Sequence, residues 1–311
     1  MSSQVVPEHA EIPPPTVEEV SDGIFAYVQL DGSWFLNNAG AILGDDGAIV
    51  VDTVGTEARA RAFRKAFDEL TDLPPQVLIN THSHGDHTHG NFMFAPDTAI
   101  IGHENCRREI IAAGTGVRAT FSTVDFGNIP VTPPFVTFQE RLNVYAGDLR
   151  VELIFVGPSH TPSDVVAWIP ERKLLFAGDI VFNGGTPFAI AGSVAGWRET
   201  LDMLRGLGVE TVVPGHGPVC GSESFDAVDD YLAWVQEIAA DGFEKGTPPL
   251  ELATAFDLGR FSDLTDPERL VPNLHRAYSE LRGEERGTAL DGSVFAEMIT
   301  YNGGGPLRCL A

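Results

Sequence analysis

The feature that most constrains this chain is a short run of ligand-type side chains, His82-Ser83-His84-Gly85-Asp86-His87, with three histidines and one aspartate within six positions. It directly follows 77–80, a short apolar stretch typical of a buried strand. Imidazole and carboxylate groups are ligands that zinc takes in catalytic sites, where one position stays open for water. Packed together without a metal, they would include a desolvated carboxylate that has no partner. The run therefore predicts a metal site at the end of a strand, in preference to a polar surface loop.

Three further polar residues follow apolar stretches later in the chain, namely His160, Asp179 and His216. Each lies close to a glycine, where the backbone can turn sharply and approach an ion. A single residue of this kind is more often a satisfied structural histidine or aspartate. Together with the run at 82–87 they are hard to explain by core packing alone, so we expect all of them at one site.

The apolar pattern predicts a protein that mixes strands and helices. Strands are expected over 24–30, 41–44, 48–52, 77–80, 149–156, 165–169, 174–176 and 211–214, with the second and third forming a hairpin. Helices are expected over 56–70, 196–206, 225–240 and 266–281, the last with Thr265 as N-cap and Pro267 in its first position. Between these elements, 107–139 is expected to form a helix and a long aromatic loop, and loops of this length are more often functional than idle.

Neither a linker nor an internal repeat divides the chain convincingly. The first 15 residues are polar and end in three prolines, which is typical of a disordered or extended arm. We therefore predict a disordered arm over 1–15 and a single domain over 16–311.

The pattern His82-x-His84-x-Asp86-His87, followed by His160, Asp179 and His216, resembles the metallo-β-lactamase superfamily over roughly residues 23–220. The resemblance implies an α/β (α+β) fold, the αββα sandwich of two mixed sheets packed face to face with helices outside. Residues from about 221 to 311 would then form a helical C-terminal extension. By this resemblance two zinc ions are expected, the first held by His82, His84 and His160, the second by Asp86, His87 and His216, and both bridged by Asp179. Asp52 matches the buried aspartate with which the family braces its metal loops.

The resemblance also implies a hydrolytic mechanism. Two metals about 3.5–4 Å apart would share a hydroxide formed at neutral pH, because they lower the pKa of bound water. The hydroxide would attack a carbonyl that one metal polarises. Asp86 would orient this nucleophile and carry its proton toward the leaving group. Imidazole also suits iron, so iron or manganese are alternatives to zinc.

The superfamily contains many activities, so the fold does not decide the substrate. True β-lactamases are less expected, because Asp179 stands where they commonly carry cysteine or serine. The flavodiiron type has glutamate at the position of His84. What remains is the cleavage of an activated acyl bond (thioester, lactone or amide) in a small apolar substrate. Such a substrate would fit an apolar pocket, for which the candidate lining residues are Phe92, Phe94, Phe126, Phe182 and Phe188.

Three alternatives stay open beside this hypothesis. The chain is loosely similar to zinc-dependent aromatic polyketide cyclases of this fold, which close rings. An iron-dependent oxidoreductase of the persulfide dioxygenase type resembles the motif too, but uses a single metal. A binding module that has lost its activity is disfavoured, because all seven ligand positions are intact. His89 and His103 also lie near the site in the sequence. For each of them a structural role is expected in preference to contact with the substrate.

Charge and cysteine content limit the partners and the compartment. A net charge of -24 repels phosphate backbones and anionic lipids, so we expect a small-molecule substrate, no nucleic acid and no membrane. The three cysteines are scattered and odd in number, which indicates neither a disulfide framework nor a thiolate zinc site. With no signal-peptide pattern at the start, a cytoplasmic enzyme is predicted. The oligomeric state is left open.

Overall fold

The structure is a computed structural model that describes residues 13–311. The arm predicted over 1–15 therefore lies outside the described residues, except for its last three positions. The described chain forms two mixed β-sheets with helices on their outer faces. The predicted αββα sandwich is confirmed.

The first sheet has seven strands that lie side by side in chain order. They are β1 (Thr16–Ser21), β2 (Ile24–Val28), β3 (Ala39–Leu43), β4 (Ala48–Val51), β5 (Pro75–Ile79), β6 (Ala99–His103) and β7 (Val136–Phe138). The first four pair antiparallel, and β4 to β7 run parallel. In the parallel half Val51 pairs with Ile79. The residues that follow β4 and β5, Asp52 and Thr81 among them, therefore meet at one edge of the sheet.

The second sheet has five strands in the order β12-β11-β10-β9-β8. They are β8 (Arg141–Ala146), β9 (Leu149–Phe155), β10 (Val165–Ile169), β11 (Leu174–Phe182) and β12 (Thr211–His216). The predicted strand over 174–176 ends too early. β11 and β12 stay paired in parallel as far as Phe182, which lies opposite His216. β11 therefore continues beyond Asp179. As a result Asp179 lies within a buried strand, and not after it as predicted.

Three apolar layers hold the sandwich together. Valine, leucine, isoleucine and phenylalanine side chains from the facing sides of the two sheets, such as Ile49 and Leu153, form the central layer. On the outer face of the first sheet lies α1 (Glu57–Leu70), whose N-terminus is capped by the side chain of Thr56. Its Ala60, Phe63 and Phe67 are buried there, as the helical period predicts.

The other helices include those of the C-terminal region. They are α2 (Gly85–Thr88), α3 (Glu104–Ala113), α4 (Val194–Arg205), α5 (Glu223–Lys245), α6 (Pro249–Ala255), α7 (Leu270–Leu281) and α8 (Ser293–Tyr301). Side chains of α4, α5 and α7 share one apolar cluster with Leu175 and Val212 of the second sheet, and this cluster is the third apolar layer. None of the helices found among residues 13–311 combines the length and apolar character needed to cross a membrane.

The predicted start of the helix over 266–281 is wrong. Asp266 has a left-handed backbone with φ 55°, so a single 3₁₀ turn (Pro267–Arg269) comes first and the α-helix begins only at Leu270. Thr265 is therefore not the N-cap. The tighter turn leaves the side chains of Glu268 and Arg269 buried instead of on a helix surface.

Candidate metal centre

All seven residues that the sequence singles out come together at one place, at the ends of the two sheets. They form two groups whose possible ligand atoms lie within 4.8 Å of one another: His82, His84, His160 and Asp179, and beside them Asp86, His87 and His216. Neighbouring loops and strands provide them. Asp86 and His87 lie on α2 directly after β5, while Asp179 and His216 lie on the adjacent parallel strands β11 and β12.

Asp179 lies between the two groups and turns one carboxylate oxygen toward each. Its Oδ2 is 3.2 Å from Nε2 of His160 and 3.7 Å from Nε2 of His82. Its Oδ1 is 3.0 Å from Nε2 of His87 and 3.5 Å from Nε2 of His216. This is the arrangement that a carboxylate bridging two cations needs.

The other members of each group are equally close. In the first, Nδ1 of His84 is 2.8 Å from Nε2 of His160. In the second, Oδ2 of Asp86 is 3.3 Å from Nε2 of His216 and 3.9 Å from Nε2 of His87. Each group therefore presents ring nitrogens and carboxylate oxygens that converge on a common point.

The residues present fit a bound metal pair, because several of the converging atoms lack any other partner. Nε2 of His82, Nε2 of His87 and Oδ1 of Asp179 are buried and make no hydrogen bond of acceptable geometry with a described residue, although the last two atoms lie 3.0 Å apart. A buried polar atom left without a partner costs about 1–3 kcal/mol, so native proteins seldom leave three together. Cations held between these atoms would satisfy all three.

Hydrogen bonds on the far side of the rings hold the imidazoles in place. Nδ1 of His160 donates to the carbonyl oxygen of Phe188 at 2.5 Å, and Nδ1 of His216 donates to that of Gly32 at 3.0 Å. A carbonyl oxygen can only accept, so the hydrogen of each neutral ring sits on Nδ1 and Nε2 keeps its lone pair. Partners of this kind fix the tautomer that a metal ligand requires.

Asp52 braces the metal loop, in the manner that the resemblance implies. Its Oδ2 is 2.8 Å from Nδ1 of His87, and it also accepts the hydroxyl of Thr81 at 2.7 Å. Its Oδ1 accepts the backbone N–H of Thr81 at 2.8 Å. The side chain is buried, and its backbone is left-handed with φ 56°. One carboxylate thus ties the end of β4 both to the residue before His82 and to the ring of His87.

Close packing leaves no room for a side chain at Gly215, next to Asp179. A Cβ at this position would lie 2.0 Å from Oδ1 of Asp179 and 2.8 Å from its backbone nitrogen. Glycine is therefore required where β12 passes the bridging position on β11.

The charges of the cluster shift one another's pKa values. Burial alone would raise the pKa of Asp179, but the imidazoles around it, above all His216 and His87, hold that pKa well below its usual range. Burial would lower the pKa of His216, but Asp179 and Asp86 raise it to about 9. Burial, followed by the neighbouring His160, lowers the pKa of His84 to about 3. The carboxylates are thus ionised, and a divalent cation would take the place of the proton that His216 otherwise holds below about pH 9.

An open apolar cavity leads to the cluster, with an empty volume of ≈ 1040 Å³ including its mouth. Asp86, Asp179, His84 and His216 lie among its lining residues. Its aromatic walls are Trp34, Phe35, Phe121, Phe182, Phe188 and Phe295. Ile110, Val117, Phe121 and the stretch 129–132 line it as well, so the predicted loop region contributes to the wall.

Two of the five phenylalanines expected in the pocket, Phe182 and Phe188, line it. Phe126 lies behind the wall, 5.1 Å from Phe35 between ring centroids. Phe94 instead packs with α1 on the opposite side of the first sheet, and Phe92 is partly buried against both that cluster and the one that contains Phe126. These two follow the metal run closely in sequence, but the 3₁₀ turn over His89–Met93 carries the chain away from the cavity.

The two spare histidines differ in position. His103 stacks on Phe155 with 4.0 Å between ring centroids, and its Nε2 donates to the carbonyl oxygen of Gln139, so it has a structural place outside the cavity lining. His89 lines the cavity beside the metal cluster.

Sequence reasoning missed the part of the cavity that the C-terminal region contributes. Arg269 and Phe295 are lining residues. Nε1 of Trp34 donates to Oε1 of Glu268 at 2.7 Å, and the guanidinium of Arg269 lies 4.0 Å from the centroid of the Trp34 ring. Nothing in the sequence around Glu268 and Arg269 indicates that these two charged side chains are buried.

Comparison with known proteins agrees with the fold. The family model described as the metallo-β-lactamase superfamily matches residues 32–216. The chain belongs to this superfamily. The match includes all seven clustered residues and ends before α5, so the C-terminal helices of this metallo-β-lactamase-fold protein lie outside it.

Individual relatives have different activities. The chain is 32% identical over 197 residues to the α subunit of a 2,4-dinitroanisole O-demethylase from Nocardioides sp. strain JS1661, covering 62% of this chain and 56% of the relative. It is 29% identical over 146 residues to a hydroxyacylglutathione hydrolase from Rhodospirillum rubrum, covering 47% of each. The chain spans about half the length of the curated relatives it matches.

Among solved structures, a metallo-β-lactamase from Pontibacter korlensis superposes with a TM-score of 0.58 at 21% identity. The superposition covers 71% of this chain and 99% of that one. At this identity the likeness concerns the fold alone. More than a quarter of the present chain has no counterpart in that structure.

Proposed function

We propose that this protein is a metal-dependent hydrolase that cleaves an activated acyl bond (a thioester, lactone or amide) in a small apolar substrate. One observation carries the proposal: five imidazoles and two carboxylates converge at the base of a cavity with aromatic walls. The hydroxyacylglutathione hydrolase among the relatives supports an acyl bond as the target.

The donor set fits two zinc ions, with iron or manganese as alternatives. His82, His84 and His160 would hold the first, Asp86, His87 and His216 the second, and Asp179 both. The directions of the two Asp179 oxygens support this division. When bound, a metal pair of this kind polarises a carbonyl and lowers the pKa of water, so that a nucleophile is available at neutral pH.

The chain's own residues would bind the substrate and transfer a proton from the attacking water to the leaving group. The aromatic rings of the cavity hold the apolar group and exclude bulk water from the reacting bond. Asp86 borders both the cluster and the cavity, so its carboxylate is placed to orient the attacking water and to pass a proton to the leaving group. Asp52 and the carbonyl oxygens of Phe188 and Gly32 keep the imidazoles oriented throughout.

A second candidate is the cleavage of an activated aryl methyl ether. The relative that is 32% identical is described as acting on 2,4-dinitroanisole. The aromatic walls of the cavity favour a flat ring of this kind over a polar substrate. Attack of water on the methyl carbon would break the O–CH₃ bond and release methanol and an electron-poor aryl oxide, which needs little protonation by Asp86.

A cytoplasmic location and a single domain over 16–311 belong to the same proposal. The scattered cysteines support the first, because they suit a reducing compartment. The apolar cluster that α5 and α7 share with the second sheet supports the second.

A hydrolysis panel on the metal-loaded protein tests the proposal. It contains an acyl thioester, an aliphatic lactone, an aryl ester, a chromogenic β-lactam and 2,4-dinitroanisole, each assayed with and without a chelator. We expect chelator-sensitive cleavage of an acyl substrate, reduced at least about 100-fold by D86A in a protein that still folds. Cleavage of the ether alone would favour the second candidate. No cleavage by protein that carries two metals per chain would contradict both.

A further inference from the structure

Three polar side chains of α7 and the turn before it face the backbone of residues 186–190. Arg269, Asn273 and Arg276 follow one another at intervals of four and three positions, so they lie on the same side of the helix. All three are buried. Buried guanidinium and amide groups need hydrogen-bond partners, and the backbone of 186–190 provides them.

Asn273 binds this segment on both sides of Phe188. Its Nδ2 donates to the carbonyl oxygen of Pro187 at 2.7 Å, and its Oδ1 accepts the backbone N–H of Ala189 at 2.7 Å. The side chain therefore uses both a donor and an acceptor of its amide. Two short bonds from one rigid planar group fix the direction of the backbone between them.

The peptide group between Phe188 and Ala189 connects Asn273 to the metal cluster. This group is planar and trans, so its N–H and its carbonyl point in opposite directions. The N–H of Ala189 donates to Asn273, while the carbonyl oxygen of Phe188 accepts from Nδ1 of His160 at 2.5 Å. A rotation that turned the N–H away from Asn273 would also turn the carbonyl away from His160.

The neighbouring contacts hold the rest of the segment. Nη1 of Arg269 donates to the carbonyl oxygen of Thr186 at 3.0 Å, and Nη2 of Arg276 donates to that of Ile190 at 2.6 Å. Neither arginine binds the peptide group that contacts His160. Asn273 alone does so among these three side chains, and α7 lies beyond the residues that match the superfamily.

We infer that Asn273 is a positioning residue for the metal centre: through the peptide group of Phe188 and Ala189 it holds the imidazole of His160 in the direction that the first metal needs. The inference rests on the metal binding contained in the proposed function, and not on the reaction. A buried asparagine with a purely structural role would affect the stability of the whole domain. A positioning residue affects the group that contains His160 and leaves the group that contains His216 unchanged.

The test measures the zinc affinity of each group separately, by competition with a chromogenic chelator. H216A removes an imidazole from the second group and H82A removes one from the first, so each background reports the zinc held by the other group. N273A is then added to both backgrounds. Leu274 is equally buried in α7 but apolar, so L274A in the same backgrounds is the control for a loss of stability alone. Thermal unfolding of every variant is measured alongside.

Two further substitutions separate the acceptor of Asn273 from its volume. N273L fills a similar volume without any polar group, and it decides the question if N273A does not fold. N273D keeps an acceptor for the N–H of Ala189 and loses only the donor to Pro187. If the peptide group is what matters, the aspartate should restore most of the zinc affinity that the alanine removes.

We expect N273A and N273L to weaken zinc binding about 10–100-fold in the H216A background and to leave it unchanged in the H82A background. L274A should lower the melting temperature without changing either affinity. Unchanged affinity in the H216A background, equal weakening in both backgrounds, or the same selective loss in L274A would overturn the inference. A failure of H216A itself to bind zinc would contradict the proposed metal centre together with the inference. The hydrolysis panel is a separate readout, so a selective loss of zinc would stand even if every panel substrate were left intact.

Discussion

Trp34 and Glu268 are 234 positions apart in the chain, yet Nε1 of the indole donates a 2.7 Å hydrogen bond to Oε1 of the carboxylate, and both side chains are buried. The guanidinium of Arg269 covers the same indole ring. Trp34 lies inside the segment that matches the superfamily, whereas residues 268 and 269 lie beyond it. The C-terminal region thus holds one wall of the cavity and is part of the site.

Loss of the Glu268 carboxylate should loosen this wall without emptying the metal centre. In E268A the buried indole N–H loses its acceptor, which costs about 1.5–3 kcal/mol. We expect KM for an aromatic substrate to rise about tenfold, with unchanged metal content. E268Q retains an acceptor and should stay close to wild type. The matched control is E297A, since Glu297 pairs with His275 in the same region. An E268A enzyme with wild-type KM would contradict the role of this contact.

Asp52 should control metal affinity, although it is not placed as a ligand. Its replacement by alanine removes the partner of His87 Nδ1 and the acceptor of the Thr81 N–H, and it leaves the Thr81 hydroxyl only its contact with Nδ1 of His82. Partners behind a ligand typically contribute about 10–100-fold in affinity, so D52A should weaken zinc binding by that factor in a competition assay with a chromogenic chelator. D46A, at an exposed position in the hairpin turn, is the control. Equal affinities for D52A and D46A would refute this role.

Gly215 should tolerate no side chain. The methyl group of G215A would overlap Oδ1 of Asp179. The backbone of Gly178 and Asp179 would also lie within 2.8 Å of this methyl group, so a side-chain movement alone cannot make room for it. We expect loss of at least one metal per chain and a lower melting temperature. G305A, where a Cβ meets open space, should behave as wild type. Full metal content in G215A would show that the strand can shift more than the packing suggests.

The titration of Asp164 should make the free energy of unfolding depend on pH. It accepts backbone N–H bonds from Ser159 at 3.1 Å and Thr161 at 2.9 Å, on either side of His160. Burial outweighs these bonds and raises the pKa of Asp164 from 3.8 to about 6. The folded protein therefore holds the proton more tightly than the unfolded chain. The contribution of this group to stability is greatest below about pH 4 and is lost as the pH rises through about 6.

The variant D164N cannot titrate at this position, so its melting temperature should depend less on pH between about 4 and 6. Differential scanning calorimetry of both proteins across that range gives the comparison. If the difference in melting temperature between the wild type and D164N stays constant with pH, the raised pKa of Asp164 is contradicted.

Much of this architecture could be predicted from residue types alone. Strands whose residues are all buried, such as β4, form apolar runs bounded by turn residues, and α1 buries the three residues that its period marks. The ligand set was recognisable because imidazole and carboxylate groups recur after apolar stretches. Here the local pattern and the tertiary structure favour the same result.

Some of the missed elements depend on contacts that the local pattern does not contain. β1 is an edge strand with mostly exposed polar residues, so only its pairing with β2 makes it a strand. β11 extends through Asp179 because β12 pairs alongside it. The Trp34–Glu268 contact joins opposite ends of the chain, and neither residue signals the other in sequence. β6 and β8 were missed as well, although β6 is mostly buried and apolar and the burial of β8 alternates along the strand.

Metal analysis tests the central claim most directly. The chain loaded with zinc, freed of excess metal and measured by mass spectrometry, should contain two zinc ions per chain. H82A and H216A, which remove one imidazole from each group, should each retain about one. Fewer than one metal in the loaded wild type, or two in both variants, would contradict a two-metal centre at these seven residues.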